Sequence, residues 1–207
     1  MKHKNLILFA ITMFYLSITG LNAQTIKDFD GNVNKTVTIG KQEIYNDQTA
    51  SFTYSAKWKK TSSDIYSQIH QLLDQDLLKS NRIIVELEVY ASPNNEGNFL
   101  VFDKTKVPDS LTVESLLSER EKVDNDALAS SYLTKINLLE IKKINGISML
   151  FEDFSVKSGS FNGRTYAMKT IIGSIIYEFS ISGLDNVGFQ SDKLYLDNII
   201  DSFSLNK

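Results

Sequence analysis

Residues 137–183, NLLEIKKINGISMLFEDFSVKSGSFNGRTYAMKTIIGSIIYEFSISG, decide the fold class of this chain. The stretch contains successive runs rich in β-branched and aromatic residues, which are typical of strands. These runs are Asn137–Ile144, Ile147–Lys157, Arg164–Ile172 and Ile175–Ser182. They are joined by the dipeptides Asn145-Gly146, Asn162-Gly163 and Gly173-Ser174. Because such dipeptides readily adopt the positive φ that two-residue hairpin turns require, the stretch predicts an antiparallel meander.

More strands are predicted on the N-terminal side of the meander. Residues 82–90, RIIVELEVY, alternate aliphatic side chains with glutamates and a tyrosine, which indicates a half-buried strand. A polar turn follows it and leads to a second strand, Asn98–Phe102. Two shorter strands, Thr36–Ile39 and Ser51–Tyr54, are predicted further upstream.

Apolar residues at helical spacing mark three further segments. The first is Ser63–Ser80, and the second begins at Ser110 or Thr112, either of which can cap it. We expect the second helix to weaken at Asp124–Asp126, with a further helical turn at Ala127–Tyr132. The third presents Leu196, Ile199, Ile200 and Phe203 on one face near the C-terminus. Strands with one apolar face combined with amphipathic helices predict an α+β fold, in which helices flank an antiparallel sheet.

The first 23 residues have the three parts of a secretory signal: Lys2 and Lys4, the apolar run Leu6–Ile18, and a small residue, Ala23, before Gln24. The apolar run is shorter than the ~20 residues that span a bilayer. We therefore predict that residues 1–23 are a cleaved signal peptide, residues 24–35 a flexible lead-in and residues 36–207 a single domain. The expected location is periplasmic or secreted, with no membrane span after cleavage.

The composition excludes some classes of function. The formal net charge is −3, and cleavage of the signal makes it more negative, so a clustered basic surface for nucleic acid is not expected. The chain has no Cys, which excludes disulfides and thiolate metal sites. The mature domain is long enough to bury a stable core without such cross-links.

The order of the predicted elements resembles the PsbP-like family, an α/β/α sandwich that many exported bacterial proteins share. Three pieces carry the resemblance: Ser51–Tyr54 running on to Trp58-Lys59, the meander from Asn145 to Gly183, and the ending Leu196–Phe203. The resemblance implies the fold and a tendency toward binding or accessory roles. It implies no catalytic residue.

Two motifs invite a metal or catalytic interpretation. His70 is the only His after the signal, and neither a nucleophile elbow nor a second His or Cys accompanies it. Residues 28–34, DFDGNVN, supply oxygen ligands, but Val33 and Ile39 stand where a calcium loop needs Gly and Glu. We interpret His70 as a helical surface residue and residues 28–34 as a solvated turn, and we expect neither calcium nor zinc to bind.

Two pairs of carboxylates could do acid–base chemistry on a sugar. Glu86 and Glu88 share one face of a predicted strand, and Glu152-Asp153 lies on another. Two carboxylates facing one cleft, ~5–9 Å apart, would make a glycosidase possible. The alternative, which we favour, is that these residues face solvent or an edge and pair with Lys.

The sequence therefore predicts an exported, non-enzymatic binding or accessory module with a protein partner. A carboxylate-dependent hydrolase acting on an envelope or extracellular glycan is the alternative. No catalytic, cofactor-binding or metal-binding residue is predicted, and no cofactor is expected. Polar residues 94–98 could contact a ligand, although a hairpin connection explains them fully.

Overall fold

The computed structural model of the chain describes residues 41–62, 66–67, 82–93, 95, 97–129, 135–158 and 161–206. The predicted signal, the lead-in with residues 28–34, the strand Thr36–Ile39 and His70 all lie outside these residues. Of the predicted helix Ser63–Ser80, the structure describes Tyr66 and Ser67, and both are helical.

The elements of the described chain are mostly strands. In chain order they are β1 (Gln42–Asn46), β2 (Ala50–Ser55), β3 (Lys59–Lys60), β4 (Ile83–Ala91), β5 (Phe99–Lys106), α1 (Val113–Ala129), β6 (Lys135–Ile144), β7 (Ile147–Ser158), β8 (Phe161–Ile172), β9 (Ile175–Leu184), α2 (Val187–Ser202) and β10 (Ser204–Leu205). The described strands form a sheet of order β1-β2-β10 and a larger sheet of order β3-β4-β5-β9-β8-β7-β6. All the pairings are antiparallel, so the predicted α+β class and the meander β6–β9 are confirmed.

Two of the predicted turns of the meander are correct. Asn145 and Gly146 have φ of 51° and 83°, the positive pair that a type I′ turn requires, and Gly173 has a φ of 60°. The side chain of Asn145 also reaches α2, where its amide donates to the carbonyl of Asp201 at 3.1 Å. This turn therefore fixes the β6–β7 hairpin against the end of the helix.

The predicted turn at Asn162-Gly163 is wrong. Both residues lie inside β8, where Gly163 pairs with Val156 on one side and with Leu184 on the other. The hairpin closes instead between Ser158 and Phe161. A turn at Asn162-Gly163 would bring Phe151 opposite Ser174, beyond the end of β8. Local sequence allows a turn either between Ser158 and Phe161 or at Asn162-Gly163. The length over which β7 and β8 pair decides between them.

The second of the predicted helices is α1, and it runs from Val113 to Ala129 without interruption. Thr112 caps it, since its Oγ1 accepts from the backbone N–H of Ser115 at 3.2 Å. The helix does not weaken at Asp124–Asp126 but continues to Ala129. Asp and Asn cost at most ~0.7 kcal/mol each within a helix, and burial of Val113 and Leu116 against the sheet supports the element.

The larger sheet is covered on both faces. On the face that we call the α2 face, Phe102, Met168 and Phe179 pack with α2 and the smaller sheet. On the opposite face, the α1 face, Leu150 and Ile176 pack with Val113 and Leu116 of α1. Buried residues of β4 and β5 continue the α1 face: Leu87, Val89, Phe99 and Val101. The result is a sandwich with apolar contacts on each side of one sheet.

The predicted C-terminal helix is confirmed. Asn186 caps α2 by accepting from the backbone N–H of Phe189, and Leu196, Ile199 and Ile200 are buried as the spacing predicts. Phe203 lies just beyond the helix, at its C-terminal cap, and is also buried. By contrast, β1 has no counterpart in the sequence prediction, because all its residues except Tyr45 are exposed and no alternation marks it.

A close approach of two backbones occurs at Gly183. A Cβ at this position would overlap the side-chain oxygen of Asn98 and lie 2.9 Å from the Cα of Asn98. Asn98 is fully buried, accepts from the N–H of Leu184 at 3.1 Å and donates to Asp192 of α2 at 2.8 Å. Asp192 also accepts from Ser92 at 2.7 Å, so these polar groups fix the residue 92–98 connection against α2.

We predict that Gly146→Val lowers the free energy of unfolding by about 1 kcal/mol or more, because a β-branched residue resists positive φ. Gly146→Asn should cost less, since Asn tolerates this conformation. Urea unfolding of both variants measures the difference. Equal midpoints would contradict a primed turn at this position.

We predict that Gly183→Ala destabilises the protein by about 1–3 kcal/mol, the usual cost of forcing extra volume into a packed site. Gly97→Ala is the matched control, because the nearest atom to a Cβ there is 3.6 Å away, which is ordinary contact. The control should change the free energy of unfolding by less than about 0.5 kcal/mol. Similar losses in both variants would show that Asn98 does not constrain Gly183.

Candidate functional site

The carboxylates Glu86 and Glu88 lie on one face of β4, as predicted, but each is held by a different lysine. Lys104 of β5 forms an ion pair with Glu86, and Lys60 of β3 forms one with Glu88 at 2.7 Å. A carboxylate that is already paired with an ammonium group is a poor general base, because the pairing stabilises its ionised form. The favoured interpretation of these residues, pairing with Lys, is confirmed.

Lys104 is the centre of a polar cluster where the two sheets meet. Its ammonium group lies 2.9 Å from Asp47 and donates to the hydroxyl of Tyr45 at 2.9 Å, in addition to its contact with Glu86. Tyr45 in turn donates to Glu86 at 2.8 Å, and Tyr177 donates to Asp47 at 3.2 Å. We call these five residues the Lys104 cluster.

The electrostatics of the Lys104 cluster keep its groups in their ordinary charge states. Burial alone would lower the pKa of Lys104, but hydrogen bonds with Glu86, Tyr45 and Asp47 raise it well above its usual value. Burial and Glu86 raise the pKa of Tyr45. The pKa of Asp47 is lowered, because backbone N–H groups and Lys104 outweigh the effect of burial. These shifts move Lys104, Tyr45 and Asp47 away from proton exchange near neutral pH.

A small cavity adjoins the Lys104 cluster. Aromatic and aliphatic side chains line it: Tyr45, Phe52, Tyr54, Tyr90, Leu100, Phe102, Phe179 and Ile199. Its volume is about 10 Å³, close to the minimum that one water molecule needs. The cavity is therefore too small for a sugar or another organic substrate.

The second predicted pair, Glu152 and Asp153, is divided between the two faces of the larger sheet. Glu152 lies on the α1 face, 2.9 Å from Arg120 of α1 and 3.2 Å from Lys169 of β8. Asp153 lies on the α2 face and accepts two hydrogen bonds from Arg164, each 2.8 Å long. Adjacent residues of a strand point in opposite directions, so these carboxylates cannot share a cleft. The expectation that they face solvent or an edge is wrong, because Glu152 and Asp153 are both buried against basic partners.

Glu152 belongs to a row of charged side chains that crosses the α1 face. Asp103 pairs across β5 and β9 with Glu178, and Lys169 lies opposite Glu178 on β8, with their charged atoms 3.2 Å apart. Asp103 and Glu152 are buried, and Lys169 is nearly so. We call Asp103, Glu178, Lys169, Glu152 and Arg120 the buried charge row.

Burial and neighbouring charges shift the pKa values of Asp103 and Glu152 in opposite directions. The pKa of Asp103 is raised well above 3.8 by burial and by the charge of Glu178. Burial would also raise the pKa of Glu152, but the charges of Arg120 and Lys169 lower it. The raised pKa of Asp103 favours its neutral form, and the other four groups of the row are two carboxylates and two basic side chains in contact with each other.

Sequence reasoning did not find Lys104, Lys169, Arg120 or Arg164 as the partners of these carboxylates. The available signal was the presence of charged residues at core positions of strands, such as Asp103 within FLVFDKTK and Lys169 within YAMKTII. Such a signal indicates that a partner exists, but the register across β5, β9, β8 and β7 is needed to identify it.

The outer edge of β4 is the part of this region that carries exposed apolar side chains. Among the described strands, β3 is the outer neighbour of β4, and it pairs only with Tyr90 and Ala91. Ile83 and Val85 lie beyond that pairing and are 55% and 52% exposed. The register with β5 shifts between Ile84 and Glu86, which indicates a β-bulge at Val85. We call this segment, residues 83–87, the β4 edge.

We predict that Asp103→Asn stabilises the protein at pH 7, because burial and the charge of Glu178 raise the folded-state pKa of Asp103 and so disfavour its charged form. A raised folded-state pKa gives a contribution that is complete below the unfolded pKa and is lost as pH rises through the folded value. The gain should therefore be small near pH 3 and grow toward neutral pH. Asn keeps the acceptor for Thr105, which donates to Asp103 at 3.0 Å.

Glu152→Gln is the control for that prediction and has the opposite sign. It removes the carboxylate that Arg120 and Lys169 share, although Lys169 keeps its contact with Glu178, and breaking a buried ion pair in this way costs about 3 kcal/mol or more. Because the folded-state pKa of Glu152 is lowered, its contribution is lost as pH falls through that value. Urea unfolding between pH 3 and pH 7 measures both variants, and a loss of stability in Asp103→Asn at pH 7 would contradict the raised pKa of Asp103.

Comparison with known proteins identifies the fold. No family model matches the sequence, and no curated protein matches it. The structure is similar to CyanoP, the cyanobacterial PsbP of Synechocystis sp. PCC 6803, with a TM-score of 0.51 and 15% identity over 84% of this chain and 98% of that one.

Two other solved structures are more distant. LpqN of Mycobacterium tuberculosis, which is involved in cell envelope biogenesis, has a TM-score of 0.49 and 10% identity, over 81% of this chain and 91% of that one. A protein of Bacteroides thetaiotaomicron has a TM-score of 0.48 and 12% identity, over 82% of this chain and 49% of that one. The similarity to CyanoP and the order of strands and helices show that this chain has the PsbP-like fold.

Proposed function

We propose that this protein is an exported accessory module without enzymatic activity, which acts by binding another protein through the β4 edge. The observation that carries the proposal is the exposure of Ile83 and Val85 beside strand backbone that β3 does not cover. An uncovered strand edge with apolar side chains is a template for addition of a strand from a partner.

The chemistry of the β4 edge defines the kind of partner. Backbone N–H and C=O groups of the edge would pair with an extended segment, and Ile83 and Val85 would contact alternate side chains of it. The carboxylates of β4 itself are already paired, since Glu86 pairs with Lys104 and Glu88 with Lys60. We therefore expect the partner segment to be extended and apolar rather than strongly charged.

The arrangement of the carboxylates gives the hydrolase alternative no support. The predicted pairs lie at separate places, and Glu86, Glu88, Glu152 and Asp153 each contact a basic side chain. A retaining or inverting glycosidase needs one carboxyl group kept protonated opposite another in a shared cleft. Asp103, whose pKa is raised by burial and by the charge of Glu178, is buried within the charge row opposite Glu178.

An extracytoplasmic location completes the proposal. Its support is the sequence itself, through Lys2, Lys4 and the apolar run Leu6–Ile18. In the part of the chain that the structure describes, no helix is long and apolar enough to cross a membrane. The sequence predicts no cofactor, and an accessory role in this compartment requires none.

We predict that a photo-crosslinking amino acid at position 85 captures a discrete partner in cells that produce the protein. Val187 on α2 is the matched control, because it is also a valine and is 53% exposed. Crosslinks at position 85 should yield one or a few defined products that position 187 does not yield. Adding Ile83→Asp should reduce the yield at position 85, because a carboxylate would be desolvated in the contact.

The same products at both positions, or none at position 85, would overturn the β4 edge as the binding surface. An assay of the purified protein on glycan fragments tests the enzymatic alternative separately. We expect no turnover, and any activity that Glu152→Gln or Glu86→Gln abolishes would overturn the non-enzymatic proposal.

A further inference from the structure

The opposite edge of the larger sheet is formed by β6, and it is longer than the β4 edge. β6 spans Lys135–Ile144 and pairs with β7 on its inner side. In the described chain, no strand pairs with its outer side. Leu138 and Ile144 pack against the core of the α2 face, and Leu139 and Ile141 against that of the α1 face. The larger sheet is therefore apolar on both faces as far as β6, its last strand.

The turn at Asn145-Gly146 determines which backbone groups of β6 point outward. In a two-residue hairpin the residues that flank the turn, here Ile144 and Ile147, form a hydrogen-bonded pair. Backbone groups alternate in direction along an antiparallel strand. Those of Leu139, Ile141 and Lys143 therefore point away from β7, where they are available to another strand.

The side chains of β6 are complementary to a second copy of the same strand. We consider two identical β6 strands that run antiparallel and are related by a twofold axis. Because the outward-pointing N–H and C=O groups belong to alternate residues, they can pair only if the axis passes through the position of one residue. A centre at Glu140, Lys142 or Lys143 would place like charges directly opposite each other, which is destabilising. A centre at Ile141 places Glu140 opposite Lys142 of the partner subunit, twice.

The register centred at Ile141 also pairs the outward-pointing backbone groups and the apolar side chains of β6. Leu139 and Ile141 would make the backbone hydrogen bonds, with Lys143 and Ile141 of the partner subunit. Leu138 would lie opposite Ile144 of the partner subunit and extend the apolar row of the α2 face. Within one chain Lys142 contacts Glu140 at 2.7 Å, so in the pair four charges would alternate in sign.

We infer that two copies of this chain associate through β6, antiparallel and centred on Ile141, so that their larger sheets form one continuous sheet. Lysine on an edge strand normally discourages pairing with other chains. Here Lys142 disfavours a partner strand that places a basic residue opposite it, whereas β6 itself supplies Glu140 at the matching position. The interaction is thus selective for a second copy, and it leaves the β4 edge available.

Charge exchange tests this inference. Glu140→Lys places lysines opposite each other, and Lys142→Glu does the same with glutamates, so each should weaken dimerisation at least about tenfold. The double variant Glu140→Lys/Lys142→Glu restores opposite charges and should recover it. Sedimentation equilibrium over micromolar to millimolar protein measures the dissociation constant. Both side chains are about half exposed, so the monomer should stay folded.

A backbone variant tests the same edge independently. Ile141→Pro removes an N–H that points outward and not toward β7, so it should abolish dimerisation while circular dichroism shows a folded chain. Glu43→Lys, a charge reversal on exposed β1, is the control and should leave the dimer unchanged. A protein that stays monomeric at millimolar concentration, or a dimer that the single charge reversals leave intact, would overturn the inference. Neither result bears on crosslinking at Val85.

Discussion

The ring of Phe179 contacts aromatic side chains from β2, β5 and the end of α2. Its centroid lies 4.8 Å from that of Phe52 in β2, 4.9 Å from that of Phe102 in β5 and 5.8 Å from that of Phe203 at the end of α2. Phe179 is fully buried, so it joins the smaller sheet, the larger sheet and the helix in one core. The positions of β1 and of the Lys104 cluster depend on this packing, since Tyr45 stacks on Phe52 at 4.6 Å.

Charged side chains in the interior make the strand register specific. Lys169 contacts Glu152 at 3.2 Å and Glu178 at 3.2 Å, and Arg120 contacts Glu152 from the helix above. Burying such charges is costly unless each has a partner. A slip of one residue between β7, β8 and β9 would move each of these side chains to the opposite face and separate the pairs. The same contacts that hold the register also occupy the groups that could have served catalysis.

Because the charged groups of the interior are paired with each other, the surface is where a partner can bind. The described interior of this chain is filled by apolar side chains and paired charges, and the cavity beside the Lys104 cluster, at about 10 Å³, is close to the minimum that one water molecule needs. What the described chain leaves available is backbone at the two ends of the larger sheet. One end carries exposed Ile83 and Val85, and the other carries a self-complementary charge pattern on β6. A binding module with two distinct edges is consistent with this division.

Local chemistry determined much of the fold from the sequence alone. The turns at Asn145-Gly146 and Gly173-Ser174, the strand at residues 83–91 and the buried face of α2 follow from turn preference and from periods of two and 3.6 residues. These signals depend only on neighbouring residues. For the same reason the sequence identified Glu86, Glu88, Glu152 and Asp153 as charged residues in strands, and it favoured pairing with Lys for them.

Tertiary structure alone decided the rest. The choice between Ser158–Phe161 and Asn162-Gly163 as a turn depends on how far β7 and β8 pair, and the existence of β1 depends on its packing beside β2. The partners of the carboxylates lie on strands or helices distant in sequence, such as Arg120 for Glu152. Contacts of this kind are fixed by register and by the close packing of elements, and no periodicity in a single chain encodes which distant residues will meet.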